Sequence, residues 1–285
     1  MERSALVVTV VHHPNDARIR HREIQALLDA GWRVTYAAPF ADYGLTRPVG
    51  IPGLEPVDLP RSQGRDRLPA LRAARRLLRK RSAPYDVVVL HDPELVPATV
   101  GLDLPPVVWD VHEDTAAAMQ VRGWLPGILR GPVQWAVRGT ERWAERRMSL
   151  LLAEPGYADR FRQQHPVVLN TTRVPPRPAP AATPGTGGVQ RVVYLGNVSP
   201  ERGLAEMVAV GRSLRETSQG RLRLDVIGSA QGGTEPALAA AHREGAVTWH
   251  GFVPSDRARR CSTGRWPVWP CCTTCPTTGT PCQRK

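Results

Sequence analysis

Histidines stand directly after three short apolar segments of the sequence. Such segments, rich in β-branched residues, are typical of buried strands in a parallel sheet. The carboxyl ends of parallel strands meet at one edge, where α/β proteins bind their ligands, so we expect these loops to line one crevice. A neutral imidazole there can orient a hydroxyl group or take up a proton. The residues concerned are His12 and His13 after residues 5–11, His91 after 86–90 and His112 after 106–111.

Each of these histidines also has a plain structural interpretation. His112 can cap a turn, and the Asp92-Pro93 pair after His91 is an ordinary signal for the start of a helix. His12 and His13 could bind a metal, but they lack an acidic or cysteine partner at ligand spacing. We therefore predict no metal site. The charged residues around His112 favour a functional role for this histidine.

The residues between the histidine loops predict alternating helices and strands. One face of residues 21–30 is apolar, and Gly31 is placed to end that helix. A stretch rich in Pro and Gly interrupts the pattern and predicts a semi-rigid spacer at residues 174–188. Before the spacer, the predicted strands also include 32–38, 150–153 and 167–169, and the predicted helices include 65–81 and 120–148.

A second α/β segment follows the spacer. Strands are predicted at 191–195, 222–227 and 247–249, with helices at 204–214 and 236–243. The first strand is joined to its helix by a loop that contains Gly196 and Gly203. Such a turn offers backbone N–H groups to an anionic ligand. The spacing of these glycines does not match G-x-G-x-x-G, which counts against a nicotinamide-dependent dehydrogenase.

These elements predict an α/β chain with two Rossmann-like domains. We place the first domain at residues 1–173, the linker at 174–188, and a partial second domain at 189–260. Residues 261–285 have no apolar periodicity, hold all five cysteines of the chain and predict a disordered tail. Because the first 260 residues have no cysteine and begin without a secretory segment, we expect a cytoplasmic protein.

The chain is basic, with 38 Lys and Arg against 26 Asp and Glu and a formal net charge of +12. Its basic helices, 65–81 and 120–148, are open to three interpretations. They can be ordinary solvated faces, they can bind nucleic acid, or they can attach to an anionic membrane surface. We favour the membrane surface over nucleic acid, because no groove-reading or RNA-stacking motif is present. The aromatic residues of the second helix are Trp124, Trp135 and Trp143.

The order and spacing of several motifs resemble the family 4 glycosyltransferases, which have the GT-B fold. The resemblance covers residues 5–257, and no single motif decides it. In the first domain it is carried by residues 10–23, 91–95, 110–114, 141–147 and 155–161. In the second domain it is carried by residues 194–203, 226–228 and 250–253.

The resemblance implies transfer of a sugar from a nucleotide diphosphate sugar to an acceptor, usually with retention of anomeric configuration. It implies no cofactor and no metal, an acceptor in the first domain and the nucleotide in the second. The acceptor would be a glycan or a lipid-linked molecule of the cell envelope. On this basis His112 and Arg202 are the candidate catalytic residues, His112 facing the reacting sugar and Arg202 holding the diphosphate.

The resemblance also assigns binding roles. The family commonly has an arginine where this chain has Asn197, and the loss of this positive charge implies a weaker affinity for the diphosphate. The donor-binding candidates are Gly196, Asn197, Gly203, Gly228 and Gly251. The candidates for acceptor or diphosphate contacts are His12, His13, Asn15, Asp16, His91 and Asp92.

The composition changes abruptly after Arg260. If GC-rich codons encode residues 261–275, translating those codons in a shifted frame gives an amphipathic, protein-like segment. This segment resembles the sequence that follows the His250–Val253 region in the family. We therefore expect a reading-frame shift near Arg260, an incomplete donor domain and weak donor binding. Two alternative functions stay open: a non-catalytic protein that binds an acceptor, and a basic protein that binds nucleic acid.

Overall fold

A computed structural model describes residues 3–81, 84–112, 127–171 and 189–253. The described residues divide into two compact units, 3–171 and 189–253. The predicted spacer and the cysteine-bearing tail lie outside the described residues. Each unit is an α/β structure with a parallel sheet, which confirms the predicted fold class.

The first unit contains a six-stranded sheet in which every pair of neighbours is parallel. The strand order is β3-β2-β1-β4-β5-β6. Strands β1, β4 and β5 are therefore neighbours, which brings the residues after them to one edge of the sheet. The strands are β1 (Ser4–Val8), β2 (Arg33–Ala38), β3 (Leu54–Asp58), β4 (Val87–Leu90), β5 (Val107–Val111) and β6 (Ser149–Leu152).

Helices cover both faces of this sheet. A π-helical segment, Ile19–Ile24, continues into α1 (Gln25–Asp29) and packs Ile19 and Ile24 against one face. Helix α2 (Arg67–Arg81) packs its buried residues Ala70, Ala74 and Leu78 on the core that contains Leu6 and Val8 of β1. In the described part of this unit the other two α-helices are α3 (Leu95–Ala98) and α4 (Gly127–Arg147).

The structure adds one strand that the sequence did not predict. Strand β3 contains Glu55 and Pro56, is only partly buried and pairs with β2 at the edge of the sheet. An edge position tolerates proline and needs little apolar burial, so the segment lacks the pattern of a buried strand. The predicted strand at 167–169 is wrong in extent, because Val167 makes a single bridge to Leu152.

The second unit has a three-stranded parallel sheet in residues 189–253, with the order β7-β8-β9. Its core joins Val226 to Leu238 and Val247. Strand β7 pairs only with β8 among these residues, and the side chains of Val192 and Leu195 are exposed. The elements are β7 (Gln190–Leu195), α5 (Leu204–Thr217), β8 (Leu222–Ile227), α6 (Glu235–Arg243) and β9 (Thr248–Trp249).

None of the helices in the described residues combines the length and the apolar character that a membrane span requires. Helix α4 presents Trp135 to solvent, whereas Trp143 packs against the core of the first unit. Trp124 lies outside the described residues.

Candidate functional site

Three of the predicted histidines meet at the carboxyl edge of the first sheet. The rings of His12 and His112 have their centroids 4.5 Å apart, and those of His91 and His112 are 5.6 Å apart. This proximity follows from the strand order, since β1, β4 and β5 end side by side. The site is therefore assembled from three loops, as expected of ligand sites in open α/β sheets.

His12 and His112 are in direct contact through their Nε2 atoms, which are 3.0 Å apart. Nε2 of His12 also lies 3.3 Å from Oδ1 of Asp92. Asp92 is fully buried, and it accepts hydrogen bonds from the hydroxyl of Thr9 (3.1 Å) and the amide of Val10 (2.5 Å). The loop after β4 thus fixes a carboxylate beside His12.

Asp110, the fourth residue of β5, lies beside His112, as Asp92 lies beside His12. Its Oδ2 is 2.9 Å from Nδ1 of His112 and 3.2 Å from Nδ1 of His91. Arg18 binds both carboxylate oxygens, from Nε to Oδ2 (2.7 Å) and from Nη2 to Oδ1 (2.5 Å). Burial alone would raise the pKa of Asp110, but hydrogen bonds from Arg18, His112 and His91 hold it far below its usual value. Asp110 is therefore ionised.

Glu23, in the π-helical segment Ile19–Ile24, contacts both Arg18 and His91. Its Oε1 lies 3.0 Å from Nε of Arg18, and its Oε2 lies 3.5 Å from Nε2 of His91. Burial, together with the negative charge of Asp110, raises the pKa of Glu23 to about 8. Burial also lowers the pKa of His91. At neutral pH Glu23 is mostly protonated and His91 is neutral.

The sequence alone did not predict Arg18, Glu23 or Asp110 as site residues. The signal for Asp110 is a charged residue inside an otherwise apolar strand, because such a residue must find a buried partner. The signal for Arg18 is weaker, since nothing in its local sequence separates it from Arg20 and Arg22. Its side chain is only 4% exposed, a fact that only the tertiary structure reveals.

The other predicted residues of the first loop lie apart from the histidine network. His13 packs edge-on against Tyr43 at 4.8 Å between ring centroids, and its Nδ1 accepts a hydrogen bond from the amide of Asn15 (3.0 Å). Burial lowers the pKa of His13. Asp16 accepts hydrogen bonds from the amides of Arg18 (2.8 Å) and Ile19 (3.0 Å). These contacts shape the loop and start the helical segment that carries Arg18 and Glu23.

A metal ion could find donor atoms in this cluster. One donor atom from each of His91, Asp110 and His112 lies within 4.8 Å of the other two. Arg18, however, occupies both oxygens of Asp110, and its positive charge would oppose a divalent cation. The observed contacts fit a hydrogen-bonded network better than a metal centre.

In the second unit, three glycine turns meet at the carboxyl edge of the sheet. The amide of Gly228 donates to the carbonyl of Gly251 (2.8 Å), and that of Gly196 donates to the carbonyl of Ile227 (3.0 Å). A Cβ atom at Gly228 would lie 1.9 Å from the carbonyl oxygen of Gly196. Only glycine allows this approach, which brings two turns to backbone contact.

The remaining candidates of the second unit lie in the loop after β7. The hydroxyl of Tyr194 donates to the carbonyl of Asn197 (3.0 Å), and Gly203 has a left-handed φ of 80° directly before α5. Arg202 is exposed and lines an open, largely apolar groove with Met207. The structure thus places Arg202 in the second unit and His112 in the first.

The sequence matches no protein-family model, and a search of the curated proteins finds no match. Solved structures do match, and AviGT4 and WaaB among them are glycosyltransferases. Anabaena HepE, solved with UDP and glucose, has a TM-score of 0.51 at 12% identity, covering 88% of this chain and 70% of HepE. AviGT4, a glycosyltransferase of avilamycin A biosynthesis, has a TM-score of 0.47 at 17% identity, covering 92% of this chain and 67% of AviGT4.

The lipopolysaccharide outer core galactosyltransferase WaaB is also similar, with a TM-score of 0.48 at 11% identity. That alignment covers 92% of this chain and 71% of WaaB. At such identities the likeness defines the fold alone. The chain shares the GT-B architecture with HepE, and it spans about 70% of the length of that protein.

Proposed function

We propose that this chain is a glycosyltransferase that moves a sugar from a nucleotide diphosphate sugar to a hydroxyl group of an acceptor. The observation that carries the proposal is the contact between His12 and His112, which lies between two buried aspartates at the edge of the sheet. An imidazole held in this way can orient a hydroxyl group and exchange a proton with it. The likeness in fold to HepE supports this interpretation.

Departure of the diphosphate requires a different set of groups. Negative charge builds on the leaving group as the glycosidic bond breaks, and fixed N–H groups and cations must stabilise it. The glycine turns at Gly196 and Gly228 contact each other through their backbones at the carboxyl edge of the second sheet, and the amides of such turns are our candidates for binding the anionic leaving group. Arg202, exposed in the loop after β7, is our candidate for binding the phosphates.

The finer features of the proposal come from the family resemblance. They are retention of anomeric configuration, independence of metal ions, and an acceptor that is a glycan or a lipid-linked molecule. Arg18 donates hydrogen bonds to both carboxylate oxygens of Asp110, which supports chemistry without a metal at this cluster. We also propose attachment to an anionic membrane surface from the cytoplasmic side, supported by the exposed Trp135 beside exposed Arg138 and Arg142 on α4.

A second candidate function is binding of an acceptor without transfer. The carboxylate of Glu206 lies close to Gly203, 3.3 Å from where a Cβ of that glycine would be. This negative charge at the start of α5 opposes a diphosphate at the same place. Asn197, in place of the family's usual arginine, acts in the same direction. Both features favour weak donor binding.

We propose that a shifted reading frame produced residues 261–285. The clustering of all five cysteines there supports the idea. The nucleotide sequence of the gene tests it. The alternative frame should continue as an open, α/β-like sequence, whereas early stop codons in that frame would refute the shift.

The two candidate functions are separated by calorimetric titration of the full chain with UDP-glucose and other nucleotide sugars, followed by assays of sugar transfer. A glycosyltransferase should bind a donor, and Arg202→Ala should weaken that binding at least about tenfold through loss of charge-assisted hydrogen bonds. Arg223→Ala, an exposed arginine on β8 of the same unit, is the matched control. Acceptor binding without any donor binding would favour the second function.

A further inference from the structure

The contact between His12 and His112 restricts where their protons can be. Two Nε2 atoms at 3.0 Å cannot both carry a hydrogen, so one donates and the other accepts. Nδ1 of His112 lies 2.9 Å from the ionised carboxylate of Asp110, which can only accept. Nδ1 of His112 therefore carries a proton, and in the neutral ring Nε2 is the acceptor.

In the neutral His12 ring, this arrangement leaves the free lone pair on Nδ1. With Nε2–H of His12 directed to His112, Nδ1 of His12 is the basic atom of the pair. A proton that arrives at Nδ1 converts His12 to an imidazolium. Movement of the Nε2 proton to His112 then transfers the positive charge to the ring beside Asp110. The two rings thus form a proton path from His12 to His112.

The surrounding charges favour one added proton on this pair. Arg18 and Asp110 compensate each other, while Glu23 and His91 are mostly uncharged at neutral pH. The charge of Asp92, 3.3 Å from His12, is then balanced by hydrogen bonds but by no cation among these groups. One proton shared by the histidines neutralises the cluster. A second would place two imidazolium rings in contact and is opposed by their repulsion.

We propose that His12 and His112 act as a single proton carrier in which His12 is a further catalytic residue. Its side chain is 12% exposed and that of His112 is 7% exposed, so His12 is the more accessible end of the pair. This inference rests on the proposed function, because it assigns the incoming proton to the acceptor hydroxyl.

The step is balanced in atoms and electrons. The O–H bond of the acceptor breaks and its proton goes to Nδ1 of His12, while the Nε2 proton of His12 passes to Nε2 of His112. The acceptor oxygen forms its bond to the anomeric carbon on the same face from which the diphosphate departs, so the anomeric configuration is retained. The bond from that carbon to the diphosphate breaks, and the diphosphate keeps the electron pair. Solvent or the released diphosphate later takes up the extra proton.

NMR of the full chain with ¹⁵N-labelled histidine tests the pair without any substrate. We expect His112 in the Nδ1–H tautomer and His12 in the Nε2–H tautomer. The two rings should gain one proton between them, with their signals changing together. In His112→Gln the pH titration of His12 should change, whereas in His165→Gln it should not, because His165 pairs with Glu145 elsewhere. The proposal of a shared proton carrier would be overturned if the two histidines titrated independently or had the opposite tautomers. It would also be overturned if both rings responded together to added Zn²⁺.

An activity measurement tests the catalytic step. Histidine acid–base catalysis contributes about 10²–10⁴-fold, so His12→Gln should lower kcat at least about 100-fold with the KM for the donor unchanged. His112→Gln should also shift the pH limb of kcat. Coupled titration together with a fully active His12→Gln would overturn the assignment of His12. Coupled titration with no sugar transfer by the wild type would instead refute the proposed function.

Discussion

Arg18 and Asp110, 92 positions apart, form a two-point ion pair in which both carboxylate oxygens accept hydrogen bonds. Both side chains are almost completely buried, at 4% and 0% exposure. The guanidinium also donates from Nη1 to the carbonyl of Val168 (2.8 Å). This one arginine therefore links the first loop, the strand β5 and the segment after β6.

Removal of Arg18 should destabilise the first unit. Arg18→Gln leaves the carboxylate of Asp110 buried without its cation, and breaking such a pair costs about 3–5 kcal/mol. Arg18→Lys should recover only part of this, because an ammonium group cannot bind both oxygens in the same planar geometry. The measurement is the free energy of unfolding in urea.

The control for this prediction is the ion pair between Arg212 and Glu244. It has a similar separation of 2.7 Å, but its side chains are 55% and 54% exposed. Arg212→Gln should cost less than about 1 kcal/mol. Equal losses from the buried and the exposed pair would contradict the structural role that we assign to Arg18.

The raised pKa of Glu23 predicts a dependence of stability on pH. A carboxyl group whose pKa is about 8 in the folded chain binds its proton more tightly there than in the unfolded chain. The stabilisation from this bound proton is complete at pH values below the ordinary pKa of a glutamate, and it is lost as the pH rises toward 8. The urea midpoint of the wild type should therefore fall between pH 5 and pH 9.

Glu23→Gln keeps the shape of the protonated side chain and removes its titration. The variant should lose less stability than the wild type over the same pH range, and the two should differ most at pH 9. Glu216→Gln, an exposed glutamate on α5, is the control. Parallel pH curves for the wild type and Glu23→Gln would show that Glu23 does not carry this effect.

The parallel α/β order and the histidine loops were predictable because apolar strands and the polar residues after them are local patterns. The network around Asp110 was not, since it joins Arg18, Glu23 and His91 from separate parts of the chain. Strand β3 was missed for a related reason: it is held at the edge of the sheet by pairing with β2, and its own side chains are only partly buried. Tertiary pairing, and not local composition, decides such features.

Attachment to an anionic membrane surface predicts binding to lipid vesicles. The full chain should float with vesicles that contain phosphatidylserine and should bind neutral phosphatidylcholine vesicles much less. Trp135→Ala should weaken the binding, because Trp135 is 77% exposed and can enter the interface. Salt at about 0.5 M should reduce it further by screening the arginines. Equal binding to neutral and anionic vesicles would contradict an electrostatic attachment.

The contact between the two glycine turns predicts a sharp difference between glycine variants. Gly228→Ala would place a methyl group 1.9 Å from the carbonyl oxygen of Gly196, and neither backbone can yield as a flexible side chain would. The loss should be at least the roughly 1–3 kcal/mol of an overpacked core. Gly139→Ala is the control, because its Cβ would meet open space on the exposed face of α4.

Gly139→Ala should stabilise the chain by about 0.5–1 kcal/mol, the usual gain when alanine replaces glycine inside a helix. Thermal and urea unfolding of the two variants measure the difference. Gly228→Ala should also lower donor binding more than stability alone explains, since it displaces the turn that holds Gly196. If folded Gly228→Ala binds the donor with unchanged affinity, the glycine turns are not part of the donor site and their role is purely structural.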